Sequence, residues 1–160
     1  MRINVGSQAS VTASEKWLTY IQAGQAFAMA GLQGGVAAQN SHVQLFNPVA
    51  SGKTVLVRRV MVSASLVDEL DLTLYNTALA TDVGAGVNLL SGAAAGVAHV
   101  RTTTNAGILG TIFHRFQNPA NTPALLGPDW LCQLPAGTGL VFAEVTVNQA
   151  GVATYYWAEF

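Results

Sequence analysis

One tripeptide in the sequence belongs to the best-known phosphate-binding motif, Gly52-Lys53-Thr54. In the loop G-x-x-x-x-G-K-[ST], backbone amides and the lysine hold a nucleotide phosphate, and a helix follows the loop. Asn47 occupies the position of the first glycine, and the residues after Thr54 read VLVRRVMV, whose density of β-branched side chains predicts a strand. We therefore interpret the tripeptide as the end of a turn and expect no nucleotide there.

Histidines and carboxylates are the candidates for metal ligands. His42, His99 and His114 fall in three different predicted strands, without the closely spaced His-x-His pair and acidic ligand of metal-binding cupin sandwiches. The acidic run DELD at 68–71 lacks the glycine and the distal glutamate of a calcium-binding loop. We interpret the histidines as strand residues that face solvent or a neighbour and the acidic run as a solvated turn, and we expect no metal and no other cofactor.

The only cysteine, Cys132, lies between apolar neighbours in WLCQL. A catalytic thiol needs an activating base or a positive field, and the sequence has no G-x-S-x-G nucleophile elbow either. We therefore expect Cys132 to be a core residue and the protein not to be an enzyme. A single cysteine also excludes an intrachain disulfide, so the chain is compatible with a reducing cytoplasm.

Aromatic residues close the chain, where Tyr155, Tyr156 and Trp157 are consecutive. In a strand, Tyr155 and Trp157 share one face and Tyr156 takes the other, so at least one of these faces should belong to the core. Exposed aromatic clusters also stack on the apolar faces of sugars. A carbohydrate-binding module therefore stays open as an alternative.

The composition is apolar and poor in charge. Of 160 residues, 51% are hydrophobic and only 9% are charged, and the net charge is −1, whereas about a quarter of the residues in a typical domain are charged. This excludes disorder for most of the chain and leaves no basic field for nucleic acid. The uncharged stretch at 17–52 is interrupted by Gln, Asn and Gly, so we predict no membrane span. Much of the surface should be covered by neighbouring copies, another protein or uncharged polar groups.

The elements that position these residues are predicted to be short strands separated by turns that contain Gly, Pro or Asn. About eight are recognisable, with no strongly helical stretch between them; 84–96 is predicted to be a loop, and 138–148 and 152–160 a terminal hairpin. The pattern predicts an all-β fold, an antiparallel β-sandwich or jelly roll. The eight are predicted at 42–46, 53–65, 70–75, 98–104, 111–116, 130–135, 138–148 and 152–160, and the alternation at 27–29 suggests a further strand before them.

Before the sandwich, residues 1–22 are predicted to form an N-terminal arm, and residues 23–160 a single β-sandwich domain. Residues 1–16 are small and polar, which favours an extended arm, and 17–22 have the spacing of a short helix but also fit an extended piece. Apolar residues in and just after the arm are the candidate protein interface. They are Trp17, Tyr20, Ile21, Phe27 and Met29.

The segment VQLFNPVASGKTVLVRRVMVSAS at 43–65 resembles small virion structural proteins of tailed bacteriophages. In that group a strand ends in Gln-Leu-x-Asn-Pro, a turn of small residues with Ser-Gly follows, and a valine-rich strand comes next; here Gln44, Asn47, Pro48, Ser51 and Gly52 fit. The later segments LPAGTGLVF at 134–142 and YYWAEF at 155–160 resemble the same group. The resemblance covers residues 25–160.

This resemblance implies a β-sandwich that is built into the virus particle. We expect a capsid decoration (cement) protein that stabilises the head through contacts between subunits, or, alternatively, a tail or fibre module that recognises a host glycan or protein. The expected partners are copies of the chain, most simply in a homotrimer, and the major capsid protein or other virion proteins. The protein would then be found in the virion after assembly in the host cytoplasm.

Overall fold

A computed structural model describes residues 13–127 and 130–160 as two packed antiparallel sheets preceded by one helix, which confirms the all-β sandwich. The elements are α1 (Ala13–Gln22), β1 (Ala26–Gln33), β2 (Asn40–Asn47), β3 (Val55–Ala64), β4 (Asp68–Leu74), β5 (Thr81–Ala85), β6 (Val87–Asn88), β7 (His99–Asn105), β8 (Thr111–Asn118), β9 (Ala124–Leu126), β10 (Cys132–Leu134), β11 (Thr138–Glu144) and β12 (Gly151–Glu159).

The strands divide into two six-stranded sheets. Sheet A has the order β10-β3-β12-β1-β6, with β9 also paired to β3, and sheet B has the order β5-β7-β2-β11-β4-β8. Each sheet turns one apolar face toward the other, and side chains from both faces form the core. The largest fully buried apolar side chains of this core are Trp157, Tyr155, Phe142, Leu45, Leu70, Leu72, Leu134 and Leu140.

In β3 the apolar alternation changes phase in the middle of the strand. Val55 and Val57 face the core, and so do Val60 and Val62, although strict alternation would turn the second pair outward. The pairing with β12 shifts at this point, because Arg58 is inserted between the register positions of Val57 and Arg59, as in a β-bulge. The bulge therefore accommodates Arg58 and Arg59 while the valines before and after them keep facing the core.

β4 is buried on both faces. Leu70 and Leu72 point into the core as the alternation predicts, but Asp71 and Thr73 on the opposite face are also fully buried. The prediction of a solvated acidic turn at 68–71 is wrong, because the strand already begins at Asp68, which is itself buried. The outer face is buried because loops between strands lie over it.

Other sequence predictions need correction as well. The segments 138–148 and 152–160 do not form a hairpin, because β11 pairs with β2 and β4 in sheet B while β12 pairs with β1 and β3 in sheet A. In the described part of the chain, twelve strands replace the expected eight, and two of them, β5 and β6, reach into the predicted loop at 84–96. Residues 13–16 of the predicted extended arm are helical in α1. Residues 1–12 of the arm lie outside the described residues.

The turn between β2 and β3 holds the tripeptide Gly52-Lys53-Thr54. Gly52 has a φ of 61°, and the Asn47 side chain donates hydrogen bonds to the carbonyl oxygens of Lys53 (2.8 Å) and Leu134 (3.0 Å). A strand, β3, begins at Val55. The prediction of a turn that leads into a strand is confirmed.

Candidate interaction surfaces

Helix α1 packs on one end of the outer face of sheet A through what we call the α1 cluster: Trp17, Tyr20, Ile21, Trp130, Tyr156 and Phe160. The rings of Tyr20 and Phe160 meet edge to face at 5.0 Å between centroids, and those of Trp17 and Trp130 at 6.5 Å. The guanidinium of Arg58 lies 4.8 Å from the centre of the Trp17 ring, a cation–π contact. The bulge in β3 thus places one of its two arginines under the helix.

The structure divides the five residues predicted as a protein interface into two groups. Phe27 is buried and stacks on Trp157, and Met29 packs against the same core, because β1 turns both side chains inward. The structure thus places these two side chains toward the core, and their contact with another protein stays a prediction. Trp17, Tyr20 and Ile21 contact the chain's own sheet, and their contact with another protein stays a prediction.

Among residues 13–127 and 130–160, α1 leaves one half of the outer face of sheet A uncovered, and this half carries no charged side chain. Two cross-strand rows form this uncovered half, and they are Leu125-Met61-Thr154-Ala30 and Ser63-Val152-Leu32. Leu125, Met61 and Leu32 are exposed by 52%, 39% and 64%. The solvated face of an antiparallel sheet is normally polar, so this surface is suited to contact with an apolar segment.

A second apolar surface lies along β8, the last strand of sheet B. All of β8 is paired on one side only, with β4, and most of its residues are exposed. Ile112 and Phe113 are exposed by 43% and 45%, and Leu74 on the neighbouring strand is exposed as well. We call these three residues, together with the free side of the β8 backbone, the β8 edge. An unprotected edge offers a row of backbone donors and acceptors to another strand.

The backbone of β8 is held in place by an ion pair on its outer face. Arg115 donates two hydrogen bonds to the fully buried Asp71 carboxylate, from Nε to Oδ1 (2.7 Å) and from Nη2 to Oδ2 (2.8 Å). These bonds and the negative charge of Asp71 raise the pKa of Arg115 above its ordinary value. A bidentate pair fixes direction as well as distance, so β8 presents Ile112 and Phe113 on a strand of defined orientation.

Loops cover the outer face of sheet B above β2. The Gln44 side chain donates to the carbonyl oxygens of Tyr75 (3.2 Å) and Thr77 (3.0 Å) and accepts from the amide of Leu79 (2.9 Å). Next to it, the buried His42 has Nδ1 3.1 Å from the carbonyl oxygen of Asn40 and accepts a bond from the Leu109 amide at Nε2 (3.3 Å). Burial lowers the pKa of His42, so the ring is neutral and serves as a structural clamp.

His99 and Arg101 share one carboxylate, that of Asp82, near the β5 edge of sheet B. The His99 Nδ1 atom is 3.0 Å from both carboxylate oxygens, and Arg101 Nη1 is 3.1 Å from Oδ2. Burial alone would raise the pKa of Asp82, but the hydrogen bond and charge of His99 and the charge of Arg101 outweigh it, and the pKa is lowered. This cluster ties β5 to β7.

The three histidines lie in β2, β7 and β8, each in its own strand as predicted, but His42 is fully buried and does not face solvent or a neighbour. Within residues 13–127 and 130–160, no group of three or more His, Cys, Asp or Glu side chains could hold a metal ion. Cys132 packs against the core as predicted, and burial raises the pKa of its thiol to about 12, so the thiol is neutral at physiological pH. The one helix in the described part of the chain, α1, is too short to cross a membrane.

The prediction that Tyr155 and Trp157 share a face is confirmed, and that face is the core. Tyr156 lies on the outer face, where it joins the α1 cluster and has the guanidinium of Arg59 5.8 Å from its ring centre. None of the three rings therefore forms an open platform on which a sugar would stack.

Sequence reasoning missed a buried carboxylate at the end of β12. Glu159 accepts hydrogen bonds from the amides of Val97 (2.9 and 3.0 Å) and Ala98 (3.0 Å) and from the indole Nε1 of Trp157 (2.9 Å). The sequence does contain a signal, since residue 159 falls on the same face as Tyr155 and Trp157. A glutamate on a core face must find donors, and here it fastens the loop before β7.

No family model, curated protein or solved structure matches the chain.

Proposed function

We propose that this chain is a structural protein of a tailed-bacteriophage virion, of the capsid decoration type, and that it stabilises the head by contacts between subunits. The sequence resemblance at 43–65, 134–142 and 155–160, the β-sandwich and the low content of charge support the proposal. The observation that carries it is the β8 edge, where apolar side chains stand on a strand that is paired on one side only.

The β8 edge supports a definite mode of contact. A strand of a neighbouring subunit that added to β8 would satisfy its free backbone groups, and Ile112 and Phe113 would be removed from water at the same time. Each 100 Å² of apolar surface buried in this way contributes about 2.5 kcal/mol before the entropic cost of association. Because the α1 cluster is occupied by the chain's own sheet, β8 is the better candidate for the first contact.

The partners in this proposal are further copies of the chain, most simply in a homotrimer, and the major capsid protein. In a ring such as a trimer, every copy uses the same two surfaces, so the β8 edge of one subunit would meet a different surface of the next. The alternative function, recognition of a host glycan, was suggested by Tyr155, Tyr156 and Trp157. With those rings in the core and in the α1 cluster, assembly is the function that the geometry supports better.

The oligomeric state of the purified full-length chain tests the proposal. We expect sedimentation to show an oligomer, Phe113→Asp to dissociate it, and the control Val67→Asp, in the exposed turn between β3 and β4, to leave it intact. Quantitative mass spectrometry of particles that carry the chain should give many copies per head. A full-length chain that stays monomeric and does not associate with heads would overturn the proposal, and a few copies at the tail would favour the receptor-binding alternative.

A further inference from the structure

A small cleft lies on the outer face of sheet B, between the loop 75–80 that follows β4 and the loop 106–110 that follows β7. Its volume is about 180 Å³. Sites for drug-sized ligands have about 300–1,000 Å³, so this cleft suits a ligand about the size of one ring. The walls come from both loops and from the end of β7, and they include Tyr75, Leu79, Ala80, Thr103, Asn105 and Leu109.

Buried polar side chains hold both loops of the cleft in place. The side chain of Gln44 makes three hydrogen bonds with backbone groups of the loop 75–80. In the second loop, the carbonyl oxygen of Leu109 accepts a bond of 2.6 Å from the Thr73 hydroxyl, and the Leu109 amide donates to His42. The cleft is therefore formed before a ligand arrives, and binding does not require these loops to be ordered first.

The polar groups in the walls of the cleft are uncharged and little used by the protein itself. Within the described residues, the Tyr75 hydroxyl and the Asn105 Oδ1 atom have no hydrogen-bond partner. The Thr103 hydroxyl has only a long bond of 3.4 Å to the carbonyl oxygen of the next residue. Arg101, two residues before Thr103 in β7, is ion-paired with Asp82. Such walls match a neutral ligand that is rich in hydroxyl groups.

We propose that this cleft binds one neutral hexose ring, either free or at the end of a glycan chain. Tyr75 supplies an aromatic side chain against which the apolar C–H face of a sugar packs. The Thr103 hydroxyl and the Asn105 amide supply donors and acceptors for the hydroxyl groups of the sugar. The cleft would add a contact with sugar to the assembly that the β8 edge would serve.

Amide NMR spectra of the isotope-labelled full-length protein test the proposal. The probes are the methyl glycosides of glucose, galactose, mannose and N-acetylglucosamine. We expect at least one of them to shift the amide signals of 75–80 and 103–109, with a dependence on concentration that saturates. The absence of a saturable shift with all four, or saturable shifts only elsewhere in the protein, would overturn the proposal.

A disaccharide that ends in the bound sugar distinguishes the two sources of the ligand. It should bind as well as the methyl glycoside if the cleft takes the end of a glycan chain. It should bind more weakly if the cleft takes a free sugar.

Matched variants assign the binding to the cleft. Thr103→Val removes one hydroxyl at nearly constant size and should weaken binding about three- to tenfold, and Tyr75→Ala should abolish the saturable shift. Thr111→Val, at the exposed start of β8, is the control and should bind as the unmodified protein does. Equal affinity in the variants at residues 103 and 111 would overturn the proposal, even if Tyr75→Ala does not fold. Oligomer formation through the β8 edge is measured separately, so either proposal can fail alone.

Discussion

The phenolic hydroxyl of Tyr155, in β12 of sheet A, donates a hydrogen bond of 2.6 Å to the carbonyl oxygen of Val43, in β2 of sheet B. The same hydroxyl accepts a bond of 3.3 Å from the amide of Phe142 in β11. Burial raises the pKa of Tyr155, so the hydroxyl keeps its proton. This hydroxyl therefore ties the two sheets together across the core and fixes their relative position.

Replacing this hydroxyl should cost stability. We expect Tyr155→Phe to lower the free energy of unfolding by about 1–3 kcal/mol, because buried partners on two strands lose their hydrogen bonds. Tyr156→Phe is the matched control on the outer face, with an expected change below about 0.5 kcal/mol. Urea denaturation of both variants measures the difference. Equal losses of unfolding free energy in the two variants would show that the hydrogen bonds of the Tyr155 hydroxyl do not stabilise the fold.

Gly86 should tolerate no side chain. A Cβ added there would overlap the ring of Trp157 and come within 3.1 Å of the Phe27 Cβ atom. We expect Gly86→Ala to lower the thermal midpoint and the free energy of unfolding by about 1–3 kcal/mol through overpacking. Gly34→Ala is the control, because nothing lies within 4 Å of a Cβ added there. A variant at residue 86 as stable as this control would contradict the close approach of the loop to the Trp157 ring.

The positions of the strands are easier to predict from the sequence than the way in which the strands pair within the two sheets. The alternation of Leu70 and Leu72 and the valine run of β3 identify strands because one face of each must be apolar. Alternation does not say which sheet a strand joins, so β11 and β12, close in sequence, were wrongly paired with each other. The ten residues of α1 show only two turns of apolar spacing, so their pattern fits a short helix and an extended segment equally.

The surfaces were less predictable than the fold. Trp17 and Tyr20 were recognised as apolar residues that require a contact, but local pattern does not distinguish the chain's own sheet from another protein. The β8 edge was not predicted, since exposure of Ile112 and Phe113 follows from the position of β8 at the end of the sheet, which only the topology gives. For Glu159 and Glu144 the sequence does contain a signal, because each glutamate falls on the core face of a strand.

The Glu159 carboxylate should hold the loop before β7. Glu159→Gln retains an oxygen that accepts hydrogen bonds, whereas Glu159→Ala removes every acceptor for the amides of Val97 and Ala98. We expect alanine to lower the free energy of unfolding by about 2–3 kcal/mol and glutamine by less. Hydrogen exchange at the two amides should become faster in the same order. Unchanged exchange in the alanine variant would show that the loop is held by other contacts.

His42 should make the loop before β8 sensitive to acid. Protonation of Nε2 would place an N–H against the Leu109 amide and break that hydrogen bond. Because burial lowers the pKa of His42 in the folded state, the stabilisation is present above the ordinary pKa of 6.5 and is lost as the pH falls below it. Thr103 and Ala143 flank the ring on the adjacent strands, and the nearest carboxylate on this face is Asp71, one strand beyond Ala143.

Urea midpoints between pH 7 and pH 5 measure this effect. The loss of stability on acidification should be smaller in His42→Gln than in the unmodified protein, because glutamine does not titrate. His114→Gln, at the exposed edge strand, is the control and should keep the full pH dependence. A glutamine variant at residue 42 with the same slope as the control would show that other groups cause the loss.

Glu144 should have the opposite pH dependence. Its side chain is fully buried on the core face of β11, and within the described residues neither carboxylate oxygen has a hydrogen-bond partner. Nearby, the buried Asp68 carboxylate accepts bonds from the amide (3.0 Å) and hydroxyl (2.5 Å) of Thr146. Burial and the negative charge of Asp68 raise the pKa of Glu144 from 4.5 to about 8. At neutral pH, Glu144 is therefore protonated.

A raised carboxyl pKa contributes stability that is fully present below the unfolded value of 4.5 and is lost as the pH rises through the folded value of about 8. The shift corresponds to at most about 5 kcal/mol over this window. We expect Glu144→Gln, which cannot ionise, to remove this decline and to be more stable than the unmodified protein at pH 9. Glu69→Gln, on the exposed part of β4, is the control and should leave the decline unchanged. Urea midpoints from pH 5 to pH 9 distinguish them, and an equal decline in Glu144→Gln would show that Glu144 does not titrate with folding.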